Sequence, residues 1–209
     1  MFSSQQQLKR KTPANGINRR EFIEHLVEEY HTTTNIEAKE QVTANLANFA
    51  YDPINWKYLK DTKALYVFME VIPLPNERLQ LHALAGLCNI CLDAQAKRFI
   101  TKESSFTALT KLFLETQNSE IIINFITLFH QLLTVEKTDS ELKQIIATPD
   151  ILKRVINLRQ QTADQRIKNL CIIFLEDFGS RIEIHELPTI SKPNVNITEV
   201  LQSNSVENC

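Results

Sequence analysis

The sequence predicts an all-α protein: a right-handed superhelical stack of about four three-helix repeats, an α-solenoid, over residues 18–179. Three observations predict it. A segment recurs at a fixed step of 41 residues, glycine is nearly absent, and helix-start signals return in phase with the recurrence.

The repeat reads as follows. Ala44-Asn45-Leu46-Ala47-Asn48 returns 41 residues later as Ala85-Gly86-Leu87-Cys88-Asn89. A further step reaches Ile126-Thr127-Leu128-Phe129-His130 with leucine still at the centre, and a fourth reaches Ile167-Lys168-Asn169-Leu170-Cys171, where the leucine has moved. Flanking positions pair too: Asn35 with Asn76, Lys57 with Arg98, Leu59 with Ile100, and Leu65 with Phe106. A unit of this length cannot bury its apolar face alone, so neighbours must stack into one continuous core.

The punctuation places the helices. Asn35 and Asn76 suit the N-cap, where a side-chain oxygen satisfies a free backbone amide. Asp52-Pro53 and Thr148-Pro149 each set a cap before a proline at the first helical position. Short helices are expected at 53–60 and 62–72, and long ones after Asn76 and Asn118. The stripes Leu79, Ala83, Leu87, Ile90 and Ile121, Phe125, Leu128, Leu132 have the spacing of a buried helix face. Thr162 is expected to cap the last long helix and Gly179 to end it in the left-handed conformation. Only 3 glycines occur in the chain, too few for folds built on tight hairpins or phosphate-cradling loops.

Composition bounds the function. Hydrophobic residues are 43%, charged residues 23%, and net charge is -2, as in an ordinary globular protein. Apolar runs such as Ile121–Ile123 are too short to span a bilayer, and the N-terminus has no apolar signal core. The 4 cysteines are therefore expected to be reduced thiols, and the sequon Asn196-Ile-Thr198 unused. Residues 1–20 hold Lys9, Arg10, Lys11, Arg19 and Arg20 and no acid, a charge of +5 that leaves -7 on the rest. Residues 1–17 read as a basic arm and 180–209, with Pro188, Pro193 and many Asn, Ser and Thr, as a polar tail; both are expected to be disordered.

Three-helix units of this period resemble armadillo repeats. The segment Ala38-Lys-Glu-Gln-Val-Thr-Ala-Asn-Leu-Ala-Asn-Phe-Ala-Tyr-Asp-Pro53, with Gly86-Leu-Cys-Asn-Ile-Cys91 and Ile173-Phe-Leu-Glu-Asp-Phe178, resembles the armadillo-repeat-containing protein 7 family across roughly 20–179. The resemblance implies a nuclear, non-catalytic component of the minor spliceosome. It implies action on minor-class introns through RNA-binding motif protein 48, a partner with an RNA-recognition motif. Other readings are an RNA-contacting adaptor using the basic arm, and a general peptide-binding adaptor outside splicing.

In armadillo proteins the positions matching Asn48 and Asn89 lie on the concave face, where an asparagine amide both donates to and accepts from an extended peptide. Gln41, Asn45 and His82 are expected beside them, with Trp56 and Tyr58 as a secondary contact surface. The same asparagines could instead bond to the backbone of a neighbouring repeat. Importin-like members carry tryptophan four residues before the asparagine; here Ala44, Ala85, Ile126 and Ile167 stand there, which disfavours gripping lysine stems.

No enzyme, metal or cofactor is expected. Cys88-x-x-Cys91 lacks the second ligand pair of a zinc site and falls near the end of a long helix, matching Ala47 and Ala50, so it reads as core filler. The 5 histidines form no ligand pattern, and adjacent Glu176 and Asp177 diverge by about 100° on a helix.

Overall fold

The computed structural model describes residues 18–134 and 140–179; of Ser140, Glu141 and Lys143 the backbone alone is described. The basic arm, the tail with its sequon, and Cys209 lie outside the described residues. Within them every regular element is helical: α1 (Arg19–Thr32), α2 (Ile36–Tyr51), a 3-10 turn (Pro53–Asn55), α3 (Trp56–Asp61), α4 (Ala64–Val71), α5 (Glu77–Ile90), α6 (Ala94–Ile100), α7 (Glu103–Glu115), α8 (Ser119–Thr134), α9 (Ser140–Ile146), α10 (Pro149–Gln161) and α11 (Gln165–Phe178).

The long helices α2, α5, α8 and α11 pack in sequence, each against the next. Three complete units (α3–α5, α6–α8 and α9–α11) follow the opening pair α1–α2. No helix among the described residues is long and apolar enough to cross a membrane. One hydrophobic cluster runs from Ile23 to Phe174 and contains Leu46, Leu87 and Leu128, all fully buried as the repeat requires. Phe113, Phe125 and Phe129 interlock within it at centroid distances of 5.3–5.6 Å.

The caps explain where the helices begin. Asn35 accepts from the amides of Glu37 and Ala38, Asn76 from Leu79, Asp52 from Ile54 and Thr148 from Ile151, as expected. Asn18, not anticipated, forms a reciprocal capping box with Glu21. Three expectations need correction. Asp164, not Thr162, caps the last long helix; Thr162 closes α10, and its hydroxyl oxygen accepts from the Asp164 amide. A carboxylate two residues on gives the stronger cap, so the threonine is left to shape the turn. Gly179 ends α11 in right-handed conformation, φ −75° and ψ −26°, so no left-handed terminus forms. The short helices are broken at Lys63, which takes φ 63° between α3 and α4.

Gly86 sits where α5 meets α4. A Cβ added there would fall 2.7 Å from Cε2 of Phe68, a fully buried ring that would have to shift. Gly86→Ala should therefore lower the melting temperature although alanine is the better helix former. Overpacking of about 1–3 kcal/mol exceeds a propensity gain of roughly 1 kcal/mol when the opposing ring is fully buried. Adding Phe68→Leu to Gly86→Ala should restore part of the loss, whereas Phe68→Leu alone should destabilise; differential scanning calorimetry of the three variants checks both.

Candidate functional site

The four long-helix caps Asn35, Asn76, Asn118 and Asp164 lie 41, 42 and 46 residues apart, so the step read from sequence holds once and then lengthens. Counting inward from each cap aligns the helices physically. Asn48 and Asn89 then match Gln131 and Asp177, not His130 and Cys171. The row one turn earlier is Ala44, Ala85, Thr127 and Ile173, not Ile126 and Ile167. Burial supports this register: Cys171, Ile126 and Ile167 are core residues, whereas Asp177 and Ile173 are exposed and Gln131 and Thr127 half-buried.

The exposed side of the long-helix row thus carries a ladder of amides ending in a carboxylate. Asn48 is exposed, and among the described residues its amide makes no hydrogen bond. Asn89 is half-buried and donates from Nδ2 to the Ala47 carbonyl at 3.1 Å, tying α5 to α2. Gln131 accepts at Oε1 from the Cys91 thiol at 3.2 Å, and Asp177 meets His130 Nε2 at 2.8 Å. The next row inward is Gln41, His82, Asn124 and Leu170. Gln41 donates to Asn45 Oδ1 at 3.3 Å along α2. Burial, opposed by the Glu40 carboxylate and reinforced by Arg78, holds the His82 imidazole below its ordinary pKa. His82 is therefore a neutral group that can both donate and accept. Near the caps, Glu40 gathers Asn76 Nδ2 and Arg78 Nη1, each at 3.1 Å. Arg166 joins Asp164 and Glu120 at 2.8 and 2.7 Å.

Trp56 and Tyr58 lie apart from this row. Both are half-buried against the core, and the Trp56 indole N–H donates to the Ala50 carbonyl at 2.8 Å, which anchors the ring. Sequence reasoning missed Gln131 and Asp177 because a fixed step carries past them; the caps were the available signal.

Cys88 and Cys91 are buried and point into the joint between α5 and α8. The Cys88 thiol donates to the Asn124 carbonyl at 3.2 Å, and the Cys91 thiol to the Cys88 carbonyl at 3.1 Å as well as to Gln131. Burial raises Cys91 to about 12 and Cys171 to about 11, and pushes Cys88 upward as well. These thiols are packing groups rather than nucleophiles. Among the described residues no cluster of His, Cys, Asp or Glu is placed to hold a metal ion.

Two predictions follow from this geometry. Asn89→Ala should destabilise the fold by about 0.5–1.5 kcal/mol through the lost cross-helix bond, and Asn48→Ala should leave it nearly unchanged; paired denaturant titrations distinguish them. In a Cys209→Ser background, a thiol reagent at pH 8 should leave Cys88, Cys91 and Cys171 intact until guanidinium unfolds the chain. Because folding holds these thiols protonated above their ordinary value of 9.0, stability should fall as pH climbs past that value. A Cys88→Ala/Cys91→Ala/Cys171→Ala variant should lose that alkaline slope.

Comparison with known proteins agrees with this architecture. No protein-family model matches the chain. Armadillo repeat-containing protein 7 of Mus musculus is 32% identical over 170 residues, covering 81% of this chain and 83% of the mouse protein. A designed armadillo repeat protein in complex with the peptide (KR)4 superposes with TM-score 0.64 at 18% identity, covering 75% of this chain and 64% of that one. A computationally designed armadillo repeat protein for modular peptide recognition gives 0.65 at 19% identity over the same shares. The chain thus spans just under two thirds of those two designed proteins, which match it in fold. Armadillo-repeat proteins are generally non-catalytic scaffolds that bind proteins and peptides. With the stacked long helices, the continuous core and the mouse relative in agreement, the chain belongs to the armadillo repeat-containing protein 7 family.

Proposed function

We propose that this scaffold holds an extended segment of a partner protein along the open face of α2, α5, α8 and α11. By family resemblance the partner is RNA-binding motif protein 48, and the setting is nuclear splicing of minor-class introns. The observation that carries the binding reading is the row Asn48, Asn89, Gln131 and Asp177. Three amides at equivalent places on successive helices offer donors and acceptors in register with a peptide backbone. Helices pack about 8–10 Å apart and an extended chain advances roughly 3.3 Å per residue, so about three residues bridge successive rungs. Gln41, Asn45 and His82 flank the first two rungs and add polar contacts. The neighbouring row of Ala44, Ala85, Thr127 and Ile173 gives shallow walls without an aromatic shelf. That row suits small or apolar partner side chains better than lysine stems. Residues 18–179 form the proposed binding unit, with the basic arm 1–17 and the tail 180–209 as extensions.

Isothermal titration of the purified RNA-recognition-motif protein into the full chain tests this reading. Asn48→Ala with Asn89→Ala should weaken binding by roughly five- to a hundredfold, since each net amide contact is worth about 0.5–1.5 kcal/mol. Affinity per folded molecule equal to wild type would place the partner elsewhere. Deleting residues 1–17 should spare this protein contact; a salt-dependent loss of RNA on that deletion would instead favour the RNA-contacting adaptor.

A further inference from the structure

A recess lies away from the ladder, at the seam between successive repeats. Lys60 of α3, Lys63 of the intervening turn, Leu65 and Tyr66 of α4, and Gln95, Ala96 and Phe99 of α6 line an open recess of about 140 Å³. None of these residues belongs to a long helix of the row. Its wall is an aromatic pair, Tyr66 and Phe99, with ring centroids 4.8 Å apart and planes at 59°. Tyr66 is 53% exposed although it is a large ring, while Leu65 beneath is buried. An apolar cavity of about 150 Å³ accommodates a benzene, so this recess admits a side chain of phenylalanine or leucine size.

The rim is both rigid and charged. Lys60 Nζ bonds Asp93 at 2.7 Å, and Asp93 in turn caps α6 through the amides of Gln95 and Ala96. That chain of bonds closes the seam and neutralises the Lys60 charge. Lys63 lines the same recess. Among the described residues it is the non-glycine residue with positive φ, at 63°, a backbone state that L residues avoid. Strain of this kind persists where the surrounding structure imposes it, and it gathers at ligand-holding positions. Its ammonium has no partner among the described residues, and the nearby carboxylate of Asp61 is taken by Lys57. The rim therefore offers one uncompensated cation beside an aromatic slot, with the Gln95 side-chain amide adjacent.

We infer that this seam recess docks a short segment of a partner protein that inserts one aromatic or leucine-sized side chain and sets an adjacent Asp or Glu against Lys63. The apolar side chain covers the exposed face of Tyr66, and the carboxylate supplies the charge that Lys63 lacks. The site shares no residue with the proposed ladder and stands or falls separately from it.

The test is selection from a random twelve-residue peptide phage library on the immobilised full chain, followed by fluorescence anisotropy with the selected peptides as synthetic probes. Peptides with Phe, Tyr, Trp or Leu next to Asp or Glu should be enriched. Their affinity should fall at least tenfold in Tyr66→Ala and in Lys63→Glu, and remain at wild-type level in Asn48→Ala/Asn89→Ala. Lys63→Gly, which suits the left-handed backbone, should keep or raise the melting temperature and still weaken binding severalfold, separating loss of charge from loss of fold. Selected peptides indifferent to Tyr66→Ala, a basic consensus, or no enrichment over a blank surface would overturn the assignment. So would Tyr66-dependent binding of a synthetic peptide of residues 180–209 in preference to the selected peptides, because the occupant would then be the chain's own tail.

Discussion

The register of the stack depends on a side chain doing two things at once. At Asn76 the amide oxygen accepts from the Leu79 amide of its own helix, while the amide nitrogen donates back to Glu40 on the preceding long helix. Asn118 repeats the arrangement, accepting from Glu120 and Ile121 and donating to Glu77 at 2.8 Å. Asparagine is suited to this because its oxygen accepts while its nitrogen donates. The start of a helix and its position against its neighbour are then set by the same residue. At the fourth long helix the cap is Asp164, which can only accept, and the donor role passes to Arg166, reaching both Asp164 and Glu120.

That constraint also explains how far the sequence could be read. The first step of 41 residues joins two asparagine caps, so Asn35 and Asn76, and with them Asn48 and Asn89, align by simple repetition. One extra residue before Asn118 and five before Asp164 break the count. Loops lengthen at little energetic cost, since they need only keep the cap in place. The apolar stripe hides such a slip. Leu128 remains buried although it no longer matches Leu87, because a wide buried face tolerates a shift of one position. Polar residues do not share that tolerance, which is why Gln131 and Asp177 were invisible to a fixed step. The Thr162 expectation failed for a related reason: two residues two apart were both good caps, and only tertiary packing chose between them.

The ladder is chemically graded along its length. Asn48 is open, Asn89 is partly engaged with Ala47, Gln131 receives a thiol, and Asp177 is shared with His130. A partner laid along the row would meet freely available groups at α2 and groups already in use toward α11. Docking strength would accordingly be concentrated over the opening helices. The same gradient sets bonded side chains beside a free one within one row of homologous positions.

The relay through Arg166 has a consequence for how the solenoid comes apart. The joint between α2 and α5 combines the half-buried Asn89–Ala47 amide bond with contacts of Asn76 and Arg78 to a Glu40 carboxylate that is only 15% exposed. The joint between α8 and α11 uses an ion pair whose partners are 60% and 51% exposed. Exposed ion pairs are screened by salt, whereas short amide bonds are not. Raising ionic strength should therefore weaken the Arg166–Glu120 tie of the last unit while the Asn89–Ala47 bond of the opening helices holds, with the shared apolar core carrying both joints.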